Sequence, residues 1–176
     1  MRRDIPVLIS AESIQKRIDE LARDITRVYQ GQQITIVGVL TGCLVFLADL
    51  IRRLDLPIKI ALVQASSYRG TATTAGSLQV QDELLPDLRG RHLLLLDDIL
   101  DSGQTLGYLV RHLESRGTAS VRVGVLLRKE GTQKVALEPD FCGFPIPDEF
   151  VIGYGLDYND EYRNLPYIGI LPPDAR

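Results

Sequence analysis

Leu93-Leu94-Leu95-Leu96-Asp97-Asp98-Ile99-Leu100-Asp101-Ser102-Gly103-Gln104-Thr105 decides the reading of this chain: an apolar run ends in two acids and passes through a third into a turn of small residues. The four leucines, set off by the breaker Gly90, read as a strand buried on both faces. The segment beyond Thr105 reads as a helix with Leu106, Leu109, Val110 and Leu113 on one side. Such a strand-turn-helix junction offers an anion free backbone N–H groups and the positive end of a helix dipole. Gly103 permits close approach, and the hydroxyls of Ser102 and Thr105 can donate further hydrogen bonds. Carboxylates repel phosphate, so Asp97, Asp98 and Asp101 point instead to hydroxyls, a metal or a proton beside it. Solvated acids at a helix start are the plain alternative, but three acids and two hydroxyls within nine residues exceed what capping needs. The turn therefore expects a sugar phosphate.

Upstream, Ser10 suits the N-cap of a helix with Ile14, Ile18, Leu21, Ile25 and Val28 on one stripe, ended by Gly31. Ile34 to Leu40 reads as a strand and Cys43 to Leu54 as a helix with Leu47, Leu50, Ile51 and Leu54 inward; Thr41-Gly42 lies between them. Another strand spans about Ile58 to Ala65, followed by the polar tract Ser66 to Ser77, which is long for a connection in a compact domain and reads as a functional lid or an insert. Downstream come a strand near Val121 to Leu127, a polar break, a strand at Phe150 to Tyr154 and a last one at Tyr167 to Leu171. Alternating strands and helices imply an α/β fold, a mostly parallel twisted sheet flanked by helices on both faces. In such sheets ligands bind beyond the carboxyl ends of the strands. Thr41-Gly42, Ser67-Tyr68, Asp97 to Thr105 and Arg128-Lys129 should therefore share one rim.

Length and composition set the bounds. The 176 residues suit a single domain, 1–176, large enough for a core without metal or disulfide staples. Cys43 and Cys142 lie far apart with no partner at ligand spacing, so a zinc site or disulfide framework is not expected and a reducing cytoplasm is. Met1-Arg2-Arg3-Asp4 leads into a short apolar run broken by Pro6, so no signal peptide is expected, and no stretch reaches membrane-spanning length. A formal charge of -3 gives no support for nucleic-acid binding. His92 and His112 fit exposed strand and helix positions.

The stretch from Leu93 to Thr105 resembles the phosphoribosyl-diphosphate (PRPP) binding motif of the type I phosphoribosyltransferases. With Leu40-Thr41-Gly42, Phe46-Leu47-Ala48-Asp49-Leu50, Ser67-Tyr68, Lys129 and the block from Pro139 to Arg163, containing Phe150-Val151-Ile152-Gly153-Tyr154-Gly155-Leu156-Asp157, the likeness narrows to the hypoxanthine-guanine phosphoribosyltransferases. It implies their fold, with a small C-terminal base-binding hood, and their reaction: transfer of phosphoribose from PRPP to a 6-oxopurine, giving IMP or GMP and pyrophosphate, with Mg2+.

The same resemblance assigns roles. Asp97 and Asp98 would organise the ribose hydroxyls, directly or through metal-bound water; Ser102, Gly103, Gln104 and Thr105 would cradle the 5-phosphate; Asp101 would exchange the purine N7 proton. Phe150 would stack on the base, the backbone of Val151 and Asp157 would meet its Watson–Crick edge, and Lys129 would donate to the 6-oxygen. Asp157 would approach Mg2+, Arg163 would pair with pyrophosphate, and Thr41-Gly42, a turn with a cis peptide in the family, would present amides to it. Ser67 and Tyr68 would belong to a lid that excludes water. Many relatives carry lysine where this chain has Thr41, so that side-chain contact is absent here. The family forms dimers and tetramers, so a homodimer or homotetramer is expected. Two other readings stand beside this one: an RNA-binding regulator of pyrimidine genes on the same fold, disfavoured by Asp101 and the acidic charge, and a transferase for xanthine, uracil or orotate.

Overall fold

The computed structural model describes residues 5–67, 78–81 and 85–175. Tyr68 and nearly all of the polar tract lie outside them, and of Ser67 only the backbone is described.

The element order is β1 (Val7–Ile9), α1 (Ala11–Val28), β2 (Ile34–Leu40), α2 (Leu44–Ile51), β3 (Ile58–Ser67), β4 (Leu78–Gln81), β5 (His92–Leu100), α3 (Gln104–Glu114), β6 (Ser120–Lys129), β7 (Phe141–Ile146), β8 (Val151–Ile152) and β9 (Ile168–Ile170). Six strands form the main sheet in the order β4-β3-β2-β5-β6-β7. All neighbours are parallel except the antiparallel edge strand β4. The α/β architecture expected from the sequence is present.

Residue alternation along the strands divides the core. Ile34, Ile36, Leu94 and Leu96 face one side, where α1 and α2 cover them with Ile14, Ile18, Leu21, Ile25, Phe46, Leu47 and Leu50. Val37, Val39, Leu93 and Leu95 face the other, where α3 supplies Leu106, Leu109 and Leu113. The four leucines are fully buried on alternating faces, as a central parallel strand requires. Ser10 caps α1, its hydroxyl accepting from the Ser13 amide at 3.1 Å.

A second, three-stranded antiparallel sheet, β1-β9-β8, forms the hood. It has its own small core of Ile5, Ile152, Leu165 and Leu171.

Several expectations need correction. Val28 is 37% exposed; Tyr29 turns inward in its place, and its phenol donates to the Leu93 carbonyl at 3.1 Å. Helix α2 stops at Ile51, not Leu54, although Leu54 still packs on the core. The strand expected at Phe150 to Tyr154 contains only Val151–Ile152, because Gly153, Tyr154 and Gly155 all have positive φ and the chain turns there. Strands β3, β5 and β6 run past their expected ends, so Asp97, Asp98, Arg128 and Lys129 sit on strands and not in turns. β1, β4 and β7 were not expected; β7 lies in the supposed polar break. There Arg17 of α1 donates to the carbonyls of Gly143 (2.9 Å) and Cys142 (2.8 Å) at this edge strand. The last strand is shorter, Ile168–Ile170. Neither histidine is fully exposed: His92 Nδ1 lies 2.8 Å from Ser120 Oγ, and His112 stacks on Tyr108.

Candidate active site

Two cavities open at the carboxyl end of the main sheet. One, of about 300 Å³, is lined by Leu40, Gly42, Asp97, Asp98, Asp101, Ser102, Gly103 and Thr105 with apolar neighbours. The other, of about 240 Å³, is lined by Asp98, Ile99, Asp101, Lys129, Phe150, Val151, Leu156 and Asp157. They share Asp98, Ile99 and Asp101, so the end of β5 is the wall between them.

The first cavity combines a helix N-terminus with three acids. Gly103 is the N-cap of α3 in the left-handed region (φ 78°) and brings no capping side chain of its own, and the first turn carries no acid. The leading amides therefore meet no carboxylate from their own first turn, an arrangement suited to a phosphate. Gln104 is exposed and contributes by its position at the helix start, its amide 3.4 Å from Ser102 Oγ.

On the adjoining strand, the Asp98 amide donates to Asp97 Oδ1 at 3.0 Å, and the two side chains share a hydrogen bond. Desolvation pushes Asp97 well above the usual carboxylate range, and the neighbouring Asp98 charge pushes it further. Desolvation also raises Asp98, opposed by hydrogen bonds from Asp97 and Ile99 and by the Arg163 charge. Such a pair is costly to ionise alone and is served by hydroxyl donors or a cation.

Thr41 and Gly42 follow β2, and the Leu40–Thr41 peptide is cis. Gly42 lines the first cavity, whereas the exposed Thr41 does not. A Cβ on Gly42 would lie 1.7 Å from Asp98 Oδ2, so only glycine lets the turn approach that carboxylate.

In the second cavity Lys129 is 13% exposed, and its ammonium lies 3.0 Å from Asp148 Oδ1 and 3.4 Å from Asp101 Oδ2. Phe150 packs edge-on against Tyr158 with ring centroids 5.7 Å apart while lining the cavity. It thus belongs to the hood core and to the pocket wall at once. Arg163 pairs with Asp157 (2.8 Å) and Asp160 (3.2 Å) and donates to the Gly155 carbonyl (2.8 Å). Asp157 Oδ2 accepts from the Asp160 amide at 2.9 Å, so both of its oxygens are engaged.

Among the described residues no three His, Cys, Asp or Glu side chains form a metal-binding group. The structure therefore does not assemble Asp97, Asp98 and Asp157 into one cage. The Asp97–Asp98 pair still offers hard oxygen donors beside the phosphate nest, which suits a cation that takes most of its ligands from water and phosphate.

Residues given no role from the sequence stand behind the cavity walls. Asp148 pairs with Lys129. Tyr154 and Asp49 are hydrogen-bonded across the junction of the hood and α2. An acid on the otherwise apolar face of α2, and a tyrosine bracketed by two glycines, were the available signals.

A mostly parallel sheet thus carries, at its carboxyl edge, a helix N-terminus beside paired acids, with a small antiparallel hood over the second cavity. The chain matches the phosphoribosyl transferase domain over residues 10–159 and belongs to that family. It is 43% identical to the hypoxanthine-guanine phosphoribosyltransferase of Bacillus subtilis (strain 168) over 174 residues, 98% of this chain and 97% of the relative. Its fold is similar to that of a hypoxanthine phosphoribosyltransferase from Staphylococcus aureus, with TM-score 0.91 and 40% identity, covering 97% of this chain and 94% of that one. It is also 43% identical to the bifunctional protein TilS/HprT of Listeria innocua over 99% of its own length, and spans 27% of that larger protein.

Proposed function

We propose that this chain transfers the 5-phosphoribosyl group from PRPP to a 6-oxopurine, hypoxanthine or guanine, releasing pyrophosphate, and so serves purine salvage. The observation that carries this reading is the pair of cavities meeting at Asp98, Ile99 and Asp101. A phosphorylated sugar in one and a planar base in the other would face each other across that wall.

The nest at Ser102 to Thr105 takes the 5-phosphate, and Asp97 and Asp98 accept from the ribose hydroxyls. The amides of the Thr41-Gly42 turn face the pyrophosphate. Arg163 has five donors and three acceptors here, which leaves donors for the same group. Asp97 and Asp98, with Asp157 from the second cavity, are the residues that would hold Mg2+, which would supply charge neutralisation on the leaving group.

Phe150 and the backbone of Val151 and Asp157 hold the base. The Lys129 ammonium has three donors, two of them directed at Asp101 and Asp148, so a purine 6-oxygen takes the third. Adenine, with an amino group there, offers no acceptor. Asp101, 52% exposed and shared by both cavities, takes the N7 proton as the anomeric bond forms. Breaking the C1–pyrophosphate bond leaves positive charge on the sugar, which the flanking carboxylates stabilise.

This reading takes 1–176 as one transferase domain, working in the cytoplasm as a homodimer or homotetramer with no nucleic-acid or membrane partner. Among the described residues no helix is long and apolar enough to cross a membrane. The test is to incubate the protein with PRPP, Mg2+ and each of hypoxanthine, guanine, xanthine, adenine, uracil and orotate, and to follow nucleotide formation. IMP and GMP are the expected products. Turnover of a pyrimidine alone, or no nucleotide together with tight, salt-sensitive binding of structured RNA, would replace the reading.

A further inference from the structure

We propose that Tyr154 and Asp49 form a positioning pair that seats the Thr41-Gly42 turn against Asp98; the proposal rests on the transferase reading and deepens it. The backbone of Gly153, Tyr154 and Gly155 has φ of 96°, 52° and 104°, three successive residues in the left-handed region. Glycine adopts it freely; tyrosine does not, and something must hold it there.

That hold is polar and partly buried. Tyr154 is 3% exposed, and its phenol donates to Asp49 Oδ2. Gln15 of α1 donates to the same oxygen at 3.0 Å and reaches the phenol at 3.4 Å. Arg52 donates to the other Asp49 oxygen, while Arg53 donates to the Asp49 carbonyl (2.8 Å) and to Gln15 Oε1 (2.6 Å). The acceptor is thus fixed to the helix that begins just after Thr41-Gly42. Hydrogen bonds from Tyr154, Gln15 and Arg52 outweigh desolvation and lower the Asp49 pKa, and burial keeps the phenol protonated, so donor and acceptor do not exchange roles near neutral pH.

What the pair holds is a stack of close contacts. A Cβ on Gly155 would lie 2.1 Å from the Gly42 carbonyl oxygen, and one on Gly42 would lie 1.7 Å from Asp98 Oδ2. Hood turn, pyrophosphate turn and ribose carboxylate therefore touch in sequence, with no side chain between them to absorb a shift. On its other side the hood turn is bound to Arg163: the Gly155 amide donates to the Arg163 carbonyl (3.0 Å), and the guanidinium donates to the Gly155 carbonyl (2.8 Å). Tyr154 fastens the hood turn to α2, and Arg163 links it to the pyrophosphate side. Neither Tyr154 nor Asp49 lines either cavity, so they act through Gly42 and not on substrate.

The test compares wild type, Tyr154→Phe, Asp49→Asn and the double variant in forward and reverse reactions, with melting curves for each. Phenylalanine fills the same space, and Asp49 keeps Gln15 and Arg52; asparagine keeps the shape and weakens the acceptor. Each single variant should raise KM for PRPP and for pyrophosphate about tenfold, as loss of one partly buried, charge-assisted hydrogen bond allows, while KM for hypoxanthine stays within about twofold. The double variant should match the larger single effect, because both changes remove one interaction. Lower melting temperature with unchanged KM values, a rise confined to the base, or multiplying effects in the double variant would each overturn the pair. Failure of the wild type to form nucleotide overturns the transferase reading itself, so the two failures are distinct.

Discussion

Replacing Gly42 by alanine separates a site requirement from a folding requirement. The added Cβ would lie 1.7 Å from Asp98 Oδ2 and 2.6 Å from its Cγ. Ordinary carbon–oxygen contact needs about 3.3 Å, so the carboxylate would have to retreat by roughly 1.5 Å. The obstacle is the end of a side chain, not backbone, and Gly42 has no positive φ that alanine would resist. The fold can therefore absorb the change at a cost of about 1–2 kcal/mol. Asp98 cannot swing aside and also keep its place beside Asp97 at the wall of both cavities, and a displacement of about 1 Å at a reacting centre costs about a hundredfold. Steady-state kinetics should show kcat/KM for PRPP falling about a hundredfold, with a melting temperature only a few degrees lower. Gly143→Ala is the contrast: its Cβ would strike the Leu126 carbonyl at 2.3 Å, where no side chain can yield, so stability should fall while the folded fraction keeps its PRPP affinity. Wild-type kcat/KM in Gly42→Ala would refute the placement of Asp98 at the sugar.

Asp101→Asn removes the proton acceptor but leaves the phosphate nest, so kcat should drop by about 10²-fold or more with the calorimetric PRPP affinity retained; unchanged turnover would dismiss Asp101 from proton transfer. Asp97 is raised by burial in the folded protein, so the native state binds its proton more tightly than the unfolded chain, and ionising it costs stability as pH rises through the raised value. Asp97→Asn should accordingly melt higher than wild type in mildly alkaline buffer, with the gain vanishing at acid pH where both are neutral, and should lose PRPP binding. Lys129→Ala should raise KM for hypoxanthine by about 10–100-fold and leave KM for PRPP near its original value; equal effects on both substrates would contradict its placement in the second cavity alone. Stripping divalent cations with EDTA should stop turnover, and Mg2+ should restore it; full activity in chelator would remove the metal from the reaction.

The sheet was legible where burial is two-sided. Leu93 to Leu96 form a continuous apolar run and Ile34 to Leu40 one broken only by Thr35, the pattern of central parallel strands buried on both faces. β7 was hidden because Gly143 and Pro145 interrupt Phe141–Ile146, yet an edge strand tolerates proline. β1 and β8, at three and two residues, are too short to carry a period, and pairing with β9 makes them strands. The acids and the glycine turn pointed to the first cavity, because they lie within nine consecutive residues and line it together. Asp49 and Tyr154 stand 105 positions apart, and Lys129 and Asp148 stand 19 apart, so their pairing follows from the tertiary fold and from no local pattern.

The hood does not rest on the sheet evenly. Ile9, Val151, Tyr154, Leu156 and Ile168 merge with the α1 and α2 side of the core, whereas the α3 side contains none of them. The second cavity and the two helices on that flank should then open and close as a single cooperative unit, while the α3 segment beside the first cavity can loosen separately. Amide exchange would show the two halves as different protection classes, and a ligand confined to one half would slow exchange there first.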